Sequence, residues 1–314
     1  MFSRLYQLAY TRRNMSSSSN PIPNLKLSDG HEIPLIGYGL GTANFKGRGS
    51  TEFSEKIVND TLTALRLGFY HLDGAEAYNN EPELGAAIAR SGIPREKLYV
   101  TTKTSVLEGD SIETAFSRSL EKLGLDYVDL YLIHHPFFAK SPADLVAKWA
   151  EMEAIKDSGR ARSIGVSNYL VEHLEPILAS PGLKHPPAAN QIEYHPYLQH
   201  GDLVKWHKEH GIALEAYGPL TAITKASGGP VDAVYERLAS KYGVTTSDIG
   251  LRWCLDQDIV ALTTSGNEQR LRGYLQSLPS FKLTPQDIDE ISEAGKEKHY
   301  RGFWTNRFAA DDHR

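Results

Sequence analysis

From Leu35 onward, short apolar runs rich in Val, Ile, Leu and Tyr alternate with longer stretches of helical periodicity. The runs Leu35–Leu40, Phe69–Leu72, Leu98–Thr102, Val128–Ile133, Ser163–Val166, Ala188–Ile192, Ala213–Ala216 and Val260–Thr263 have the length and composition of buried strands. Between and after them, apolar positions spaced for one helix face predict helices near Ser54–Leu67, Glu81–Arg90, Ser111–Leu123, Pro142–Ser158, Leu170–Leu178, Asp202–Glu209, Val231–Tyr242, Ser247–Asp256 and Glu268–Ser277. Each crossover is long enough to return a parallel strand, and right-handed βαβ units repeated in this way close into a ring. The expected fold class is therefore α/β, a (β/α)8 TIM barrel spanning residues 24–314. Asn24–Leu27 and His31–Pro34, on either side of Ser28-Asp29-Gly30, read as a small N-terminal hairpin lid. A doubly wound open sheet would need a glycine-rich phosphate turn before its first helix. Gly37-Tyr-Gly39-Leu-Gly41 has the wrong spacing for one and stands far from the next helix, so it reads as strand and turn.

Composition narrows the function classes. The length of 314 residues suits one such barrel, and a formal net charge of −5 argues against a polyanion or an anionic membrane as partner. No apolar run is long enough to cross a bilayer. The single cysteine, Cys254, excludes an intrachain disulfide and multi-thiolate zinc, and its place in Leu251-Arg-Trp-Cys-Leu predicts a buried helix residue. With no extended interface stripe or heptad in view, a monomer is expected. The segment before Asp29 has four basic residues and no acidic one, together with the run Ser16–Ser19. Residues 1–23 are expected to form a disordered extension of a cytoplasmic protein; the alternative is a mitochondrial presequence, and Met15 is a second candidate start.

In a barrel of this kind chemistry gathers where the strands end. Nearly every predicted strand here ends in a hydrogen-bonding side chain: Asp73, Lys103, His134, Ser167 with Asn168, Gln191, Tyr217 and Ser265, with Tyr78 in the loop after Asp73. Singly, each has a structural explanation as a cap, a packed ring or a solvated charge. Together, an aspartate, a lysine and a tyrosine in one pocket form a proton-transfer group. An ammonium about 4 Å from a phenolic oxygen, at an effective dielectric of about 20, favours tyrosinate by about 4 kcal/mol. Desolvation opposes this, so a smaller net lowering of the Tyr78 pKa is expected. Tyr78 is then a proton donor suited to carbonyl reduction, with Asp73 orienting Lys103 and His134 directing the carbonyl oxygen.

These residues lie in segments that resemble the aldo-keto reductase superfamily. Gly68-Phe-Tyr-His-Leu-Asp73-Gly-Ala-Glu-Ala-Tyr78-Asn, Glu81-Pro-Glu-Leu-Gly85, Thr101-Thr-Lys103, Asp126-Tyr-Val-Asp-Leu-Tyr-Leu-Ile-His134, Gly165-Val-Ser-Asn168-Tyr and Asn190-Gln-Ile-Glu-Tyr-His-Pro196 follow in the order of that family's motifs. The resemblance runs from about Leu25 to Tyr300 and implies carbonyl reduction with NADPH. Asp73, Tyr78, Lys103 and His134 would be the catalytic tetrad and Tyr78 the general acid. It also implies that Tyr217 stacks on the nicotinamide, that Ser167, Asn168 and Gln191 bind its carboxamide, and that Pro219, Leu220, Ser265, Asn267 and Arg270 complete the cofactor site.

Several positions depart from the family pattern. Thr263-Thr-Ser265 stands where many members have Pro-Lys-Ser, which removes a lysine from the adenosine 2′-phosphate. Arg270 and the free N–H groups of the following helix are expected to keep the NADPH preference. Gly273 and Tyr274 replace the Glu-Asn pair that usually meets adenine. The Thr-Thr-Ser run, Gln269-Arg270 and the closing His299-Tyr-Arg-Gly-Phe-Trp304 are similar to the fungal branch holding α-keto amide, ketopantoyl lactone and conjugated polyketone reductases. His135-Pro136 replaces a frequent Trp-Pro and predicts a smaller, more polar pocket for vicinal dicarbonyls or α-keto lactones, walled by His135, Phe137, Phe138, Phe303 and Trp304.

Three rival readings compete with this one. Tyr99-Val-Thr-Thr-Lys103 has the Y-x-x-x-K spacing of short-chain dehydrogenases, a motif that needs a helix where this segment reads as strand. His134, His135, Glu193 and His195 suggest a metal hydrolase, but adjacent histidines on extended chain point to opposite faces, so no metal is expected. A nicotinamide-binding, redox-sensing barrel with little turnover is the alternative from a different class.

Overall fold

The computed structural model describes residues 22–47, 50, 52–106 and 109–314. The extension expected over residues 1–23 therefore lies, as far as residue 21, outside the described residues. The chain opens with an antiparallel hairpin, β1 (Asn24–Lys26) and β2 (Glu32–Pro34). Eight parallel strands then close into a barrel: β3 (Ile36–Gly39), β4 (His71–Asp73), β5 (Tyr99–Thr104), β6 (Val128–Ile133), β7 (Ala161–Ser167), β8 (Ala189–Glu193), β9 (Ala213–Tyr217) and β10 (Val260–Thr263). They pair in sequence order, and β10 closes on β3 with Ala261 opposite Ile36. This is the (β/α)8 fold.

The returning helices are α1 (Glu55–Leu67), α2 (Glu81–Ser91), α3 (Ile112–Leu123), α4 (Pro142–Asp157), α5 (Val171–Leu178), α6 (Leu203–Glu209), α7 (Thr221–Thr224), α8 (Pro230–Tyr242), α9 (Thr246–Leu255), α10 (Glu268–Ser277) and α11 (Pro285–Lys296). Their ends follow local chemistry. The Ser54 side chain accepts from the Ile57 N–H to start α1, and Gly68 at φ 113° ends it. Two helices lie outside those expected from periodicity: α7, a single turn, and α11. The signal for α11 was present: Thr284 and Asp287 form a reciprocal capping box around a proline in the first turn.

Packing within the barrel depends on missing side chains as well as bulky ones. A Cβ at Gly37 would stand 2.6 Å from Leu262 Cδ2 and 2.8 Å from His71 Nδ1, so β3 lies against its neighbours only as glycine there. The hairpin buries Leu27 and Ile33 at the N-terminal end of the barrel, so the lid closes the end opposite the strand termini that carry the polar side chains. Asp29, at its turn, is tied to Lys156 of α4 at 2.7 Å. Cys254 is buried in α9, and burial pushes its thiol up. Tyr99 and Lys103 both belong to β5, a strand, which removes the geometry a Y-x-x-x-K site needs.

Candidate active site

The polar residues at the strand ends converge. Lys103, fully buried on β5, donates from Nζ to Asp73 Oδ1 at 2.7 Å and to the Gly74 carbonyl at 2.8 Å, and stands 3.4 Å from Tyr78 Oη. Tyr78 ends a 3-10 turn after β4, stabilised by Asn79 in a left-handed conformation whose N–H donates to the Glu76 carbonyl. Backbone contact at Gly41 completes the seat: a Cβ there would lie 2.9 Å from Tyr78 Cζ and 3.1 Å from its hydroxyl. The Tyr78 and His134 rings meet edge to face with centroids 5.5 Å apart. The four residues expected as the tetrad thus share one chamber.

The electrostatics differ from expectation at the phenol. Burial pushes Tyr78 up, Lys103 pulls it down, Asp73 pushes it up again, and the balance lies above the ordinary tyrosine value rather than below it. The expected lowering took desolvation as the smaller, opposing effect and did not count the charge of Asp73; in the folded protein desolvation and the paired carboxylate outweigh the ammonium. Burial pulls Lys103 down as well, but Asp73 and Tyr78 outweigh it and hold the ammonium above its usual range. Burial, then Lys103 and His135, keep His134 neutral, well below the usual imidazole value. Its Nδ1 is buried with no partner among the described residues, which leaves Nε2 as the nitrogen able to meet a ligand.

A second layer joins the carboxamide-type residues to the first. Ser167 Oγ donates to the Gln191 carbonyl at 2.7 Å, Asn168 Nδ2 donates to Ser167 Oγ at 3.0 Å and to the His134 carbonyl at 2.9 Å, and Tyr217 Oη donates to Asn168 Oδ1 at 2.6 Å. Asn168 has φ 61°, a left-handed turn that aims its amide back toward His134. Gln191 Nε2 donates to Asp73 Oδ2 at 2.8 Å and lies 3.4 Å from Glu215 Oε2. Glu215 is fully buried, and burial, then Asp73, push its carboxyl up to about 8. His71 Nε2 lies 4.0 Å from it, and burial pulls that ring down to about 4.

Other expected positions separate. Ser265 is buried beyond β10, and its Oγ accepts from the Asn267 N–H at 3.0 Å, while Asn267 Oδ1 caps the Arg270 N–H at 3.0 Å. Two of the N–H groups expected to be free for an anion are therefore already used. Arg270 is exposed on the first turn of α10. Tyr274 is buried in the core, so the usual adenine contact is absent in kind. Pro219 is buried in the turn after β9. Leu220 is half-buried at the start of α7, with its Cδ2 3.0 Å from where a Cβ on Gly250 of α9 would stand.

The aromatic walls are partly as expected. Trp304 meets His135 at 5.2 Å, Phe137 at 5.0 Å and His134 at 6.5 Å, and Phe303 meets Tyr217 edge to face at 5.2 Å. Trp304 thus packs beside the ring that replaces the usual tryptophan, and that side of the site is aromatic again. Phe138 packs against the hydrophobic core rather than with this cluster. Sequence reasoning missed Phe45, half exposed and 6.3 Å from the Tyr78 ring, whose only signal was an isolated aromatic in a long polar loop. It also missed Glu215 as a partner of Gln191. Glu193, weighed only as a metal ligand, accepts instead from backbone N–H groups of the C-terminal tail.

Comparison with known proteins places the chain. Residues 38–296 match the sequence model of the Aldo/keto reductase family. The chain is 38% identical over 277 residues to an NAD/NADP-dependent indole-3-acetaldehyde reductase of Schizosaccharomyces pombe, covering 87% of this chain and 96% of that protein. It is 36% identical over 296 residues to an NADPH-dependent alpha-keto amide reductase of Saccharomyces cerevisiae, covering 90% and 94%. Among solved structures it is similar to an aldo/keto reductase from Brucella melitensis, with a TM-score of 0.74, 34% identity and coverage of 87% and 99%. The chain belongs to the aldo/keto reductase family and is an oxidoreductase of the carbonyl–alcohol class. No helix among the described residues is long and apolar enough to cross a membrane.

Proposed function

We propose that the protein reduces small activated carbonyls, vicinal dicarbonyls and α-keto lactones or amides foremost, with NADPH as reductant and Tyr78 as the general acid. The observation that carries this is the placement of Tyr78 Oη 3.4 Å from the Lys103 ammonium, itself paired with Asp73 at 2.7 Å. The residues fit a nicotinamide on two counts. Tyr217 presents a ring at a strand end with its hydroxyl anchored on Asn168, and Gln191 has its Nε2 committed to Asp73 so that its carbonyl oxygen is left for an amide donor. The bound reduced nicotinamide supplies the hydride.

The chain's own residues manage the proton. The phenol is protonated at neutral pH, and because burial makes it a weaker acid than free tyrosine its donation relies on the ammonium beside it. As the proton leaves Oη, the Lys103 ammonium faces the developing phenolate, a charge balance that water would have screened. Neutral His134 offers Nε2 to the carbonyl oxygen and does not compete as an acid. Asp73 fixes the lysine through one oxygen and Gln191 through the other.

NADPH over NADH is supported by Arg270 on the first turn of α10 and by the similarity to the NADPH-dependent relative of S. cerevisiae. The preference is expected to be modest. The lysine is missing, two helix N–H groups are used internally, and Asp60 lies so near the turn that a Cβ on Gly266 would be 3.4 Å from its Oδ2. A ratio of kcat/KM for the two cofactors near unity would remove the phosphate site from the proposal. The aromatic cluster around Trp304 favours a second substrate class, aldehydes that carry an aromatic ring, as the substrate of the S. pombe indole-3-acetaldehyde reductase does.

The deciding experiment follows NADPH oxidation with methylglyoxal, a diketone, an α-keto lactone and an aryl aldehyde, in the native protein and in Tyr78→Phe. Loss of the proton donor is expected to lower kcat by about 10²–10⁴-fold. Cofactor binding without turnover on every carbonyl would instead favour a redox-sensing barrel.

A further inference from the structure

Glu193, the last residue of β8, is 1% exposed and carries a carboxylate that none of the proton-transfer residues touches. Such a group must be met by donors, and the donors here come from the far end of the chain. The Gly302 N–H donates to Oε1 at 2.7 Å and the next N–H, of Phe303, donates to Oε2 at 3.1 Å. His195 Nε2 lies 3.2 Å from Oε1. Gly302 is suited to this contact, because a Cβ there would stand 3.0 Å from Glu193 Oε1.

The segment so held is strained. Trp304, immediately after the two bound amides, has φ 58°, a left-handed backbone that a bulky residue rarely adopts. Its carbonyl is closed into a turn by the N–H groups of Arg307 and Phe308, at 2.8 and 3.2 Å. In this conformation the indole stands against His135 and Phe137, and the Phe303 ring stands against Tyr217, with the Lys225 ammonium 3.9 Å from the Phe303 ring centre. Backbone strain persists only where surrounding contacts determine it, and beside the turn and the ring packing those contacts include two hydrogen bonds to one buried carboxylate.

We propose that Glu193 is a positioning residue for substrate selection: by accepting from two successive backbone N–H groups it clamps the tail so that Phe303 and Trp304 form a fixed wall of the carbonyl site. The selection half of this inference rests on the carbonyl-reductase reading; the clamp itself does not. Releasing the clamp lets Trp304 relax out of its left-handed turn and take the wall with it. Large aromatic carbonyls lose a binding surface, and small ones lose much less.

The test has two arms. Hydrogen exchange of the tail peptide spanning residues 299–314 is followed in the native protein, in Glu193→Gln and in Gly302→Ala, the last disturbing the same contact with the carboxylate intact. Loss of the clamp is expected to speed exchange at Gly302 and Phe303 about ten-fold, the equivalent of one hydrogen bond. The second arm measures kcat/KM for phenylglyoxal relative to methylglyoxal. The ratio is expected to fall about ten-fold in Glu193→Gln, chiefly through KM, and to fall no further when Trp304→Ala is added, because both changes remove one surface. Unchanged exchange, or losses that add in the double variant, would overturn the proposal. Should the native protein reduce neither dicarbonyl, the functional reading fails while the exchange arm still decides the clamp.

Discussion

Gln191 Nε2 donates to Asp73 Oδ2 at 2.8 Å, which ties a residue expected at the cofactor's carboxamide to the carboxylate that orients the catalytic lysine. Cofactor seat and proton machinery are therefore one hydrogen-bonded unit. Gln191→Leu would leave a buried carboxylate oxygen without its donor, at a cost of about 1–3 kcal/mol. Both the melting temperature and kcat for reduction are expected to drop, together with weaker nicotinamide binding. A variant whose cofactor affinity alone changes, with stability and kcat intact, would show that the two groups act separately.

Gly41 allows the backbone to pass beside the phenol. An alanine Cβ would lie 2.9 Å from Tyr78 Cζ, closer than real contacts allow, so either the loop or the ring must move. Gly41→Ala should reduce kcat by about ten- to a hundred-fold through misplacement of Oη, with little change in the thermal unfolding midpoint because the loop lies at the barrel mouth. Full activity in this variant would mean that the phenol tolerates displacement.

Lys103 lowers the Tyr78 pKa, against burial and Asp73, which raise it. Because the balance is upward, reduction should show no descending limb from Tyr78 below pH about 10. Removing the ammonium in Lys103→Met raises the phenol further. Alcohol oxidation needs phenolate and reduction needs phenol, so oxidation measured at pH 9 should suffer more than reduction at pH 7. Equal losses in the two directions would argue that the lysine acts only on structure.

Glu215 gives the barrel interior a pH signature. Its folded pKa is raised to about 8 by burial and Asp73, so the stability associated with its neutral form is complete below the ordinary carboxyl pKa and is lost as pH rises through about 8. His71, depressed to about 4, works the other way: its contribution is present above the ordinary imidazole pKa and is lost as pH falls through about 4. Glu215→Gln removes only the first effect. The variant should match the native protein near pH 5 and exceed it in denaturation midpoint near pH 9. Parallel curves across that range would contradict the assignment.

Much of the barrel could be read from the chain because strand and helix periodicities are local and alternate without interruption. The boundaries of β6 and β10 are those expected, and most other boundaries move by one to three residues. The polar residues at strand ends were legible for the same reason, since parallel strands in one barrel bring all their C-terminal ends to one face. What was missed was either a cap outweighed by weak periodicity, as in α11, or a contact between distant segments. Glu193 and Gly302 are separated by 109 positions, and no pattern along the chain links them.

By itself the sequence determined the eight βα units and that Asp73, Tyr78, Lys103 and His134 would meet at the barrel mouth, because hydrophobic period and strand direction are properties of neighbouring residues. Only the tertiary structure decided the direction of the Tyr78 shift, the aromatic wall restored beside His135 by Trp304, and the occupation of Glu193 by the tail. Each of those depends on burial and on distances across the fold, where desolvation and hydrogen-bond satisfaction are set by every group that packs around a site rather than by the residues next to it in the chain.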